Sequence, residues 1–193
     1  MIKAISFDLY NTLVQFWPPL DEVQQAACRE LGLNVCKASI RRGYAVADIF
    51  FNEENGRNSL GLRSAEERLD FFARYEQLIL ENAGLPVSLD LARQVWAMAM
   101  TIPKDFVAFD DTIPALEALR AQGYRLGVLS NLRRDMDELC ENLGLAPFLD
   151  FCISPTEPGG EKPDPAMFLE ALNRVSVAAE EAVHVGDQYG SDV

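Results

Sequence analysis

The chain has 193 residues, 49% of them hydrophobic, with 30 acidic against 17 basic residues and a formal net charge of −13. That length buries one good core and a smaller insert, while so acidic a surface repels phosphate backbones and excludes nucleic-acid binding as a main role. No apolar stretch approaches the ~20 residues of a membrane span and the opening run lacks the flanks of a secretory signal, so no membrane partner is expected and the expected location is cytoplasmic.

In chain order, Ile2, Ala4, Ile5 and Phe7 form a short apolar run that reads as a strand buried on both faces and ending on Asp8. Tyr10, Asn11 and Thr12 break the pattern, and Pro18 and Pro19 interrupt any regular element after Val14. A helix is expected over 21–31, stopped by Gly32, and a second from about Ser39 through Phe51, with the polar segment Asn52 to Ser59, containing Gly56, read as a loop. Ser64-Ala65-Glu66-Glu67 is a capping-box pattern opening a long helix that ends near Gly84, and Ser88 caps another from Leu89 to Met100. Residues 15–105 thus read as helix and loop only, a helical cap inserted into a core made of residues 1–14 and 106–193. Phe16, Trp17, Phe50, Phe51 and Phe109 either line a pocket or pack the cap, and helical spacing favours packing.

The core resumes with a helix over 112–122 and a strand, Arg125 to Leu129, that ends on Ser130-Asn131. A helix over 135–143, a strand ending on Ser154, a helix over 165–175 and a strand Ala182 to Val185 ending on Gly186-Asp187 follow. The fold class is therefore α/β, a Rossmann-like parallel sheet with an inserted all-helical cap. Such a sheet gathers Asp8, Ser130, Asp187 and the nearby Lys162 onto one rim, where ligands bind. The four cysteines form no metal or disulfide pattern and read as reduced, structural thiols. The single histidine, His184, reads as a packed strand residue, and without a second one a His-based zinc site or a Ser-His-Asp triad lacks its parts.

Asp8-Leu9-Tyr10-Asn11-Thr12-Leu13, Leu129-Ser130-Asn131, Lys162-Pro163-Asp164-Pro165 and Gly186-Asp187 with Asp192 follow one another in the order of the four motifs of the haloacid dehalogenase superfamily, which the sequence resembles over nearly its whole length. The resemblance implies a hydrolase in which Asp8 is the nucleophile and forms a covalent aspartyl intermediate. It places Tyr10 and Thr12 in the same loop, makes Ser130 and Asn131 hold the transferring group, and makes Lys162 steady the nucleophile and the developing charge. It also implies a Mg2+ ion held by Asp8, the Tyr10 backbone carbonyl and Asp187, hard oxygen ligands of the kind that ion prefers. Asp192 belongs to the same metal site, as a partner behind the ligands or simply as a helix N-terminal acid. The Lys-Pro-Asp-Pro run also reads as a helix start, which is compatible with a catalytic Lys162.

Tyr10 departs from the phosphatase pattern, in which a second Asp acts as general acid and base. A phenol titrates near ~10 where a carboxyl titrates near ~4, and losing acid-base help costs about 10²–10⁴-fold. Tyrosine there resembles the 2-haloacid dehalogenases, whose halide leaves without a proton, and Arg41 and Arg42 fall near where those enzymes grip substrate; the pair also reads as a solvated basic face. Asp187 beside Asp8 points the other way, because two carboxylates call for a cation. The balance favours a Mg2+-dependent phosphatase of small, anionic phosphorylated metabolites that prefers good leaving groups, with a 2-haloacid dehalogenase or a weakly active phospho-ligand-binding module as alternatives. The family pattern continues past the fourth motif with a further helix and strand, so more chain is expected beyond Val193; without it the strand at Ala182 to Val185 is an open edge.

Overall fold

The computed structural model of the protein describes residues 1–155 and 160–192. The opening apolar run becomes β1 (Ala4–Phe7), followed by β2 (Val14–Trp17), the helices α1 (Leu20–Glu30), α2 (Lys37–Arg57), α3 (Ala65–Asn82) and α4 (Leu89–Thr101), and β3 (Asp105–Ala108). Then come α5 (Thr112–Ala121), β4 (Arg125–Leu129), α6 (Met136–Asn142), β5 (Phe151–Ile153), α7 (Pro165–Val175), β6 (Ala182–Val185) and the short α8 (Tyr189–Asp192). Clustered by internal contacts, Met1–Gln15 with Phe106–Val193 forms one unit and Phe16–Asp105 another.

In the first unit four parallel strands pair in the order β5-β4-β1-β6. β1 is central because it is apolar enough to be covered on both faces, and Leu126, Val128 and Leu129 beside it are fully buried. The register sets Phe7 against Val128 and against Val185, so these strands end level with one another. Asp8, Ser130 and Asp187, each just past a strand end, therefore share one rim of the sheet. β6 is the outermost strand on its side among the described residues, with Val183 and Val185 each 42% exposed.

β2 and β3 form a separate two-stranded sheet that corrects the reading of residues 15–105 as helix and loop alone. Each has only four residues, beside Pro18 in one case and Pro103 in the other, too few to show a period.

Within the second unit, Val23, Cys28, Ile40, Ile79, Leu80 and Val95 share one core. The capping box forms, with Glu67 N–H donating to Ser64 Oγ and Ser64 N–H to Glu67 Oε2. A second correction concerns α2, which runs on to Arg57 through the stretch read as a loop. A Cβ at Gly56 would meet nothing within 4 Å, so the glycine costs helix propensity without being required by a close contact. Arg57 pairs with Glu54 at 2.8 Å, and Arg63 closes the helix end by donating to the Glu54 carbonyl at 2.7 Å and the Asn58 carbonyl at 2.9 Å. Phe50 and Phe51 pack on Phe71, each with ring centroids 5.4 Å apart.

Gly43 lets α2 and α3 meet at backbone distance, since a Cβ there would collide with the Ile79 carbonyl. Gly43→Ala is therefore expected to destabilise the protein by about 1–3 kcal/mol despite its better helix propensity, read as a lowered urea midpoint. An unchanged midpoint would show that the two helices separate freely.

A polar pair lies inside this helical unit. Gln24 Nε2 donates to Glu76 Oε1 and Tyr44 OH donates to Gln24 Oε1 at 3.3 Å, with Gln24 and Glu76 each only 2% exposed. Burial pushes the Glu76 carboxyl up to about 8, outweighing the hydrogen bond from Gln24.

Candidate active site

The site begins with the turn after β1. Leu9 and Leu13 are buried, and Leu13 and Val14 N–H both donate to the Leu9 carbonyl, at 2.9 and 3.0 Å. Asn11 takes the left-handed conformation at φ 64° that this reversal needs and that asparagine tolerates well. The apolar anchors pull the chain back under the rim while Asp8, its own N–H bonded to the Val185 carbonyl at 2.8 Å, stays at the strand end.

Lys162 Nζ reaches Asp8 Oδ1 at 2.7 Å and Asp192 Oδ1 at 2.6 Å, and its side chain is 2% exposed. Asn131 fixes that lysine from behind: its Oδ1 accepts from Lys162 N–H at 2.7 Å and its Nδ2 donates to the Lys162 carbonyl at 2.8 Å. The Asp164 side chain accepts from Ala166 N–H and opens α7, so Lys-Pro-Asp-Pro serves as a helix start and delivers the lysine as well. Ser130 is 2% exposed, and its Oγ accepts from Leu132 N–H at 3.2 Å. Thr12 Oγ1 is a buried hydroxyl with no partner among the described residues.

Charge does not balance here. Three carboxylates, Asp8, Asp187 and Asp192, interact around one ammonium. Burial raises the Asp8 carboxyl, and Lys162 offsets that only in part. Burial also raises Asp187, with the Asp8 charge adding to it. Asp192 goes the other way: burial would raise it, but hydrogen bonds from His184, Lys162 and the Gln188 N–H outweigh that and hold it below the usual carboxylate range.

Asp192, expected at the metal site as a partner behind the ligands or as a helix N-terminal acid, sits at the end of α8. Its Oδ1 takes Lys162 and His184 and its Oδ2 takes the Gln188 N–H at 2.9 Å, so its lone pairs face these donors. It stands behind the lysine. Gly186 makes room for it, since a Cβ there would overlap the Asp192 carboxylate. Arg41 and Arg42, expected either as a substrate grip or as a solvated basic face, are exposed and bond within the helical unit: Arg41 Nε donates to the buried Asp21 at 2.7 Å, and Arg42 donates to Ser39 Oγ at 2.8 Å and the Ala38 carbonyl at 3.3 Å. Tyr10 packs its ring against Phe106 at 5.9 Å, and the Arg134 guanidinium lies 5.8 Å from the Phe106 centroid.

The sequence reading did not anticipate the contact of Ser6 with His184 or the grip of the Asn131 side chain on the Lys162 backbone. His184 and Ser6 face each other in register on adjacent strands, with Ser6 Oγ and His184 Nδ1 2.9 Å apart. The available signal was one polar residue interrupting each of two apolar strands. Only the pairing shows that the interruptions coincide.

A family model described as haloacid dehalogenase-like hydrolase matches residues 2–193. The chain belongs to that hydrolase family. Among its relatives, a glyceraldehyde 3-phosphate phosphatase of Methanopyrus kandleri is 32% identical over 195 residues, spanning 100% of this chain and 78% of that one. A ribulose-1,5-bisphosphate 5-phosphatase of Halopiger xanaduensis is 29% identical over 198 residues, spanning 100% and 80%. Among solved structures, a 2-haloacid dehalogenase from Pseudomonas syringae is 29% identical with a TM-score of 0.50, covering 100% of this chain and 81% of that one. As a member of the haloacid dehalogenase-like family the protein is a hydrolase built on a Rossmann-like α/β core, and no described helix is long and apolar enough to cross a membrane.

Proposed function

We propose that the protein is a Mg2+-dependent phosphatase of small phosphorylated metabolites, with Asp8 as nucleophile. The observation that carries the reading is the excess of carboxylate at the rim: Asp8 and Asp187 are both raised by burial while the one nearby ammonium is shared between Asp8 and Asp192. Two hard carboxylates, with the third acid Asp192 taken up by Lys162 and His184, suit Mg2+, which keeps several waters and takes the rest of its shell from substrate phosphate. Among the described residues no cluster of three or more His, Cys, Asp or Glu is placed to hold a metal, a limit that fits this sparse donor set. When bound by Asp8, Asp187 and the Tyr10 carbonyl, the ion would neutralise the carboxylate pair and draw charge from a phosphoryl oxygen. The names of the two phosphatase relatives support the substrate class, and four unbridged thiols suit a reducing cytoplasm.

In this reading the Asp8 carboxylate attacks phosphorus, the bond to the leaving oxygen breaks, and an aspartyl phosphate forms; water then hydrolyses that acyl phosphate and restores Asp8. Lys162 holds one Asp8 oxygen so that the other faces the substrate and meets the charge that develops. Ser130 and the Asn131 N–H steady the phosphoryl group, and the unpartnered Thr12 hydroxyl is a donor placed in the nucleophile's own loop. Tyr10 supplies no carboxyl to protonate the leaving group, which favours aryl and acyl phosphates.

The test is hydrolysis of p-nitrophenyl phosphate, glyceraldehyde 3-phosphate and 2-chloropropionate in parallel, each with Mg2+ and with a chelator. Phosphate release should disappear with chelator, and the aryl ester should turn over faster than the alkyl one. Tyr10 favours a second reading, a 2-haloacid dehalogenase, and chloride release indifferent to chelator would establish that reading instead.

A further inference from the structure

The geometry points to His184 as a positioning residue for Lys162, acting through Asp192, whose carboxylate fixes a proton on Nε2 while the Ser6 hydroxyl holds Nδ1. Resting on the phosphatase reading only for its kinetic part, the proposal adds a residue outside the four motifs.

Asp192 Oδ1 lies 2.6 Å from Lys162 Nζ and 3.2 Å from His184 Nε2, and Asp8 Oδ1 lies 2.7 Å from the same Nζ. These side chains sit on β6, on α8 and ahead of α7, with exposures of 2% for Lys162, 4% for Asp192 and 9% for His184. A carboxylate accepts and cannot donate, so the hydrogen on the Asp192 contact belongs to Nε2. In the neutral ring Nδ1 is then an acceptor, and the group facing it at 2.9 Å is the Ser6 hydroxyl, which can donate. Ser6 and His184 are opposite partners in the β1–β6 register, so the contact is built by strand pairing rather than by a mobile loop. The Phe168 ring closes the ring's flank edge-on, with centroids 5.2 Å apart.

The consequence concerns Lys162. An ammonium between two carboxylates settles wherever the softer one lets it, and Asp192 is kept rigid by His184 on Oδ1 and the Gln188 N–H on Oδ2. Without His184 the Asp192 carboxylate turns toward Lys162 and draws Nζ away from Asp8, so the nucleophile loses its fixed orientation. Outer partners that orient a catalytic group in this way typically change rates by about 10–100-fold. The loss should fall on kcat, because neither His184 nor Asp192 touches substrate in this reading and their effect reaches it only through the orientation of Lys162 and Asp8.

Only one histidine exists in the chain, which gives a readout that needs no activity. ¹⁵N NMR of the histidine-labelled protein should show a proton held on Nε2 in a single fixed ring species. Rapidly averaged tautomers, or an Nε2 without a proton, would overturn the proposal whatever the enzyme does. In the kinetic arm, His184→Ala should lower kcat for p-nitrophenyl phosphate by about 10–100-fold with KM little changed. His184→Gln, whose amide can replace the Nε2–H, should recover most of that loss, while Ser6→Ala should lose less than His184→Ala. Equal kcat in His184→Ala and wild type, or a glutamine variant as slow as the alanine one, sinks the positioning role. If wild type releases no phosphate at all, the phosphatase reading fails while the NMR result still judges the ring; if His184→Ala does not fold, the NMR arm and the glutamine variant decide.

Discussion

Asp8→Asn should abolish turnover, on the order of 10⁴-fold or more, while leaving the protein as stable as before or more so. The rate loss follows from replacing the attacking carboxylate by an amide that forms no acyl phosphate. The stability effect has a separate cause: burial raises Asp8 and the Asp192 charge adds to that, so ionised Asp8 is held at a cost that Lys162 offsets only in part. The amide removes one of three negative charges and keeps the shape. Lys162→Met should do the opposite to stability, costing about 3–5 kcal/mol, because it leaves Asp8 and the nearly buried Asp192 without their cation. Urea denaturation of the three proteins beside their phosphate-release rates checks both effects. An Asp8→Asn variant as unstable as Lys162→Met would show that the lysine needs Asp8 as much as Asp8 needs the lysine.

Glu76→Gln should remove a fall in stability between mildly acid and alkaline pH. The folded carboxyl titrates at about 8 against an ordinary value of 4.5, so the folded state keeps a proton that the unfolded chain releases. Its contribution is therefore fully present below about 4.5, declines as pH rises, and is gone above about 8. At about 1.4 kcal/mol per pH unit, the wild type should lose about 4 kcal/mol relative to Glu76→Gln between pH 5 and pH 9. Glutamine keeps a carbonyl oxygen for Gln24 Nε2, so the variant preserves the hydrogen bond without the ionisation. Asp192, held low, works in the reverse direction, losing its contribution only as pH falls below the ordinary carboxylate range. The two are separable by comparing variant with wild type at each pH. Parallel stability profiles for the two proteins would mean that Glu76 titrates as an exposed acid.

The helical unit shows why some of the chain was legible and some was not. Ser64 and Glu67, three residues apart, announce α3 because a helix start is a local matter of orphaned N–H groups. The end of α2 is not local: Arg63, beyond the helix, donates to the Glu54 and Asn58 carbonyls at its end. β2 and β3 are four residues each and gain definition only by pairing with each other across some ninety residues of intervening chain.

For the site, the order of the motifs and the apolar runs that end on Asp8, Ser130 and Asp187 suffice to place those residues on one rim, because strand period and parallel pairing follow from local pattern. The sequence by itself thus determined the fold class, the family and the place of Asp8 on the rim. Which acids are bound up with the lysine, that Arg41 answers Asp21, and that His184 meets Ser6 were decided only by the tertiary structure. Those outcomes depend on which donors converge within about 3 Å of a given oxygen, a distance set by strands and helices far apart in the chain.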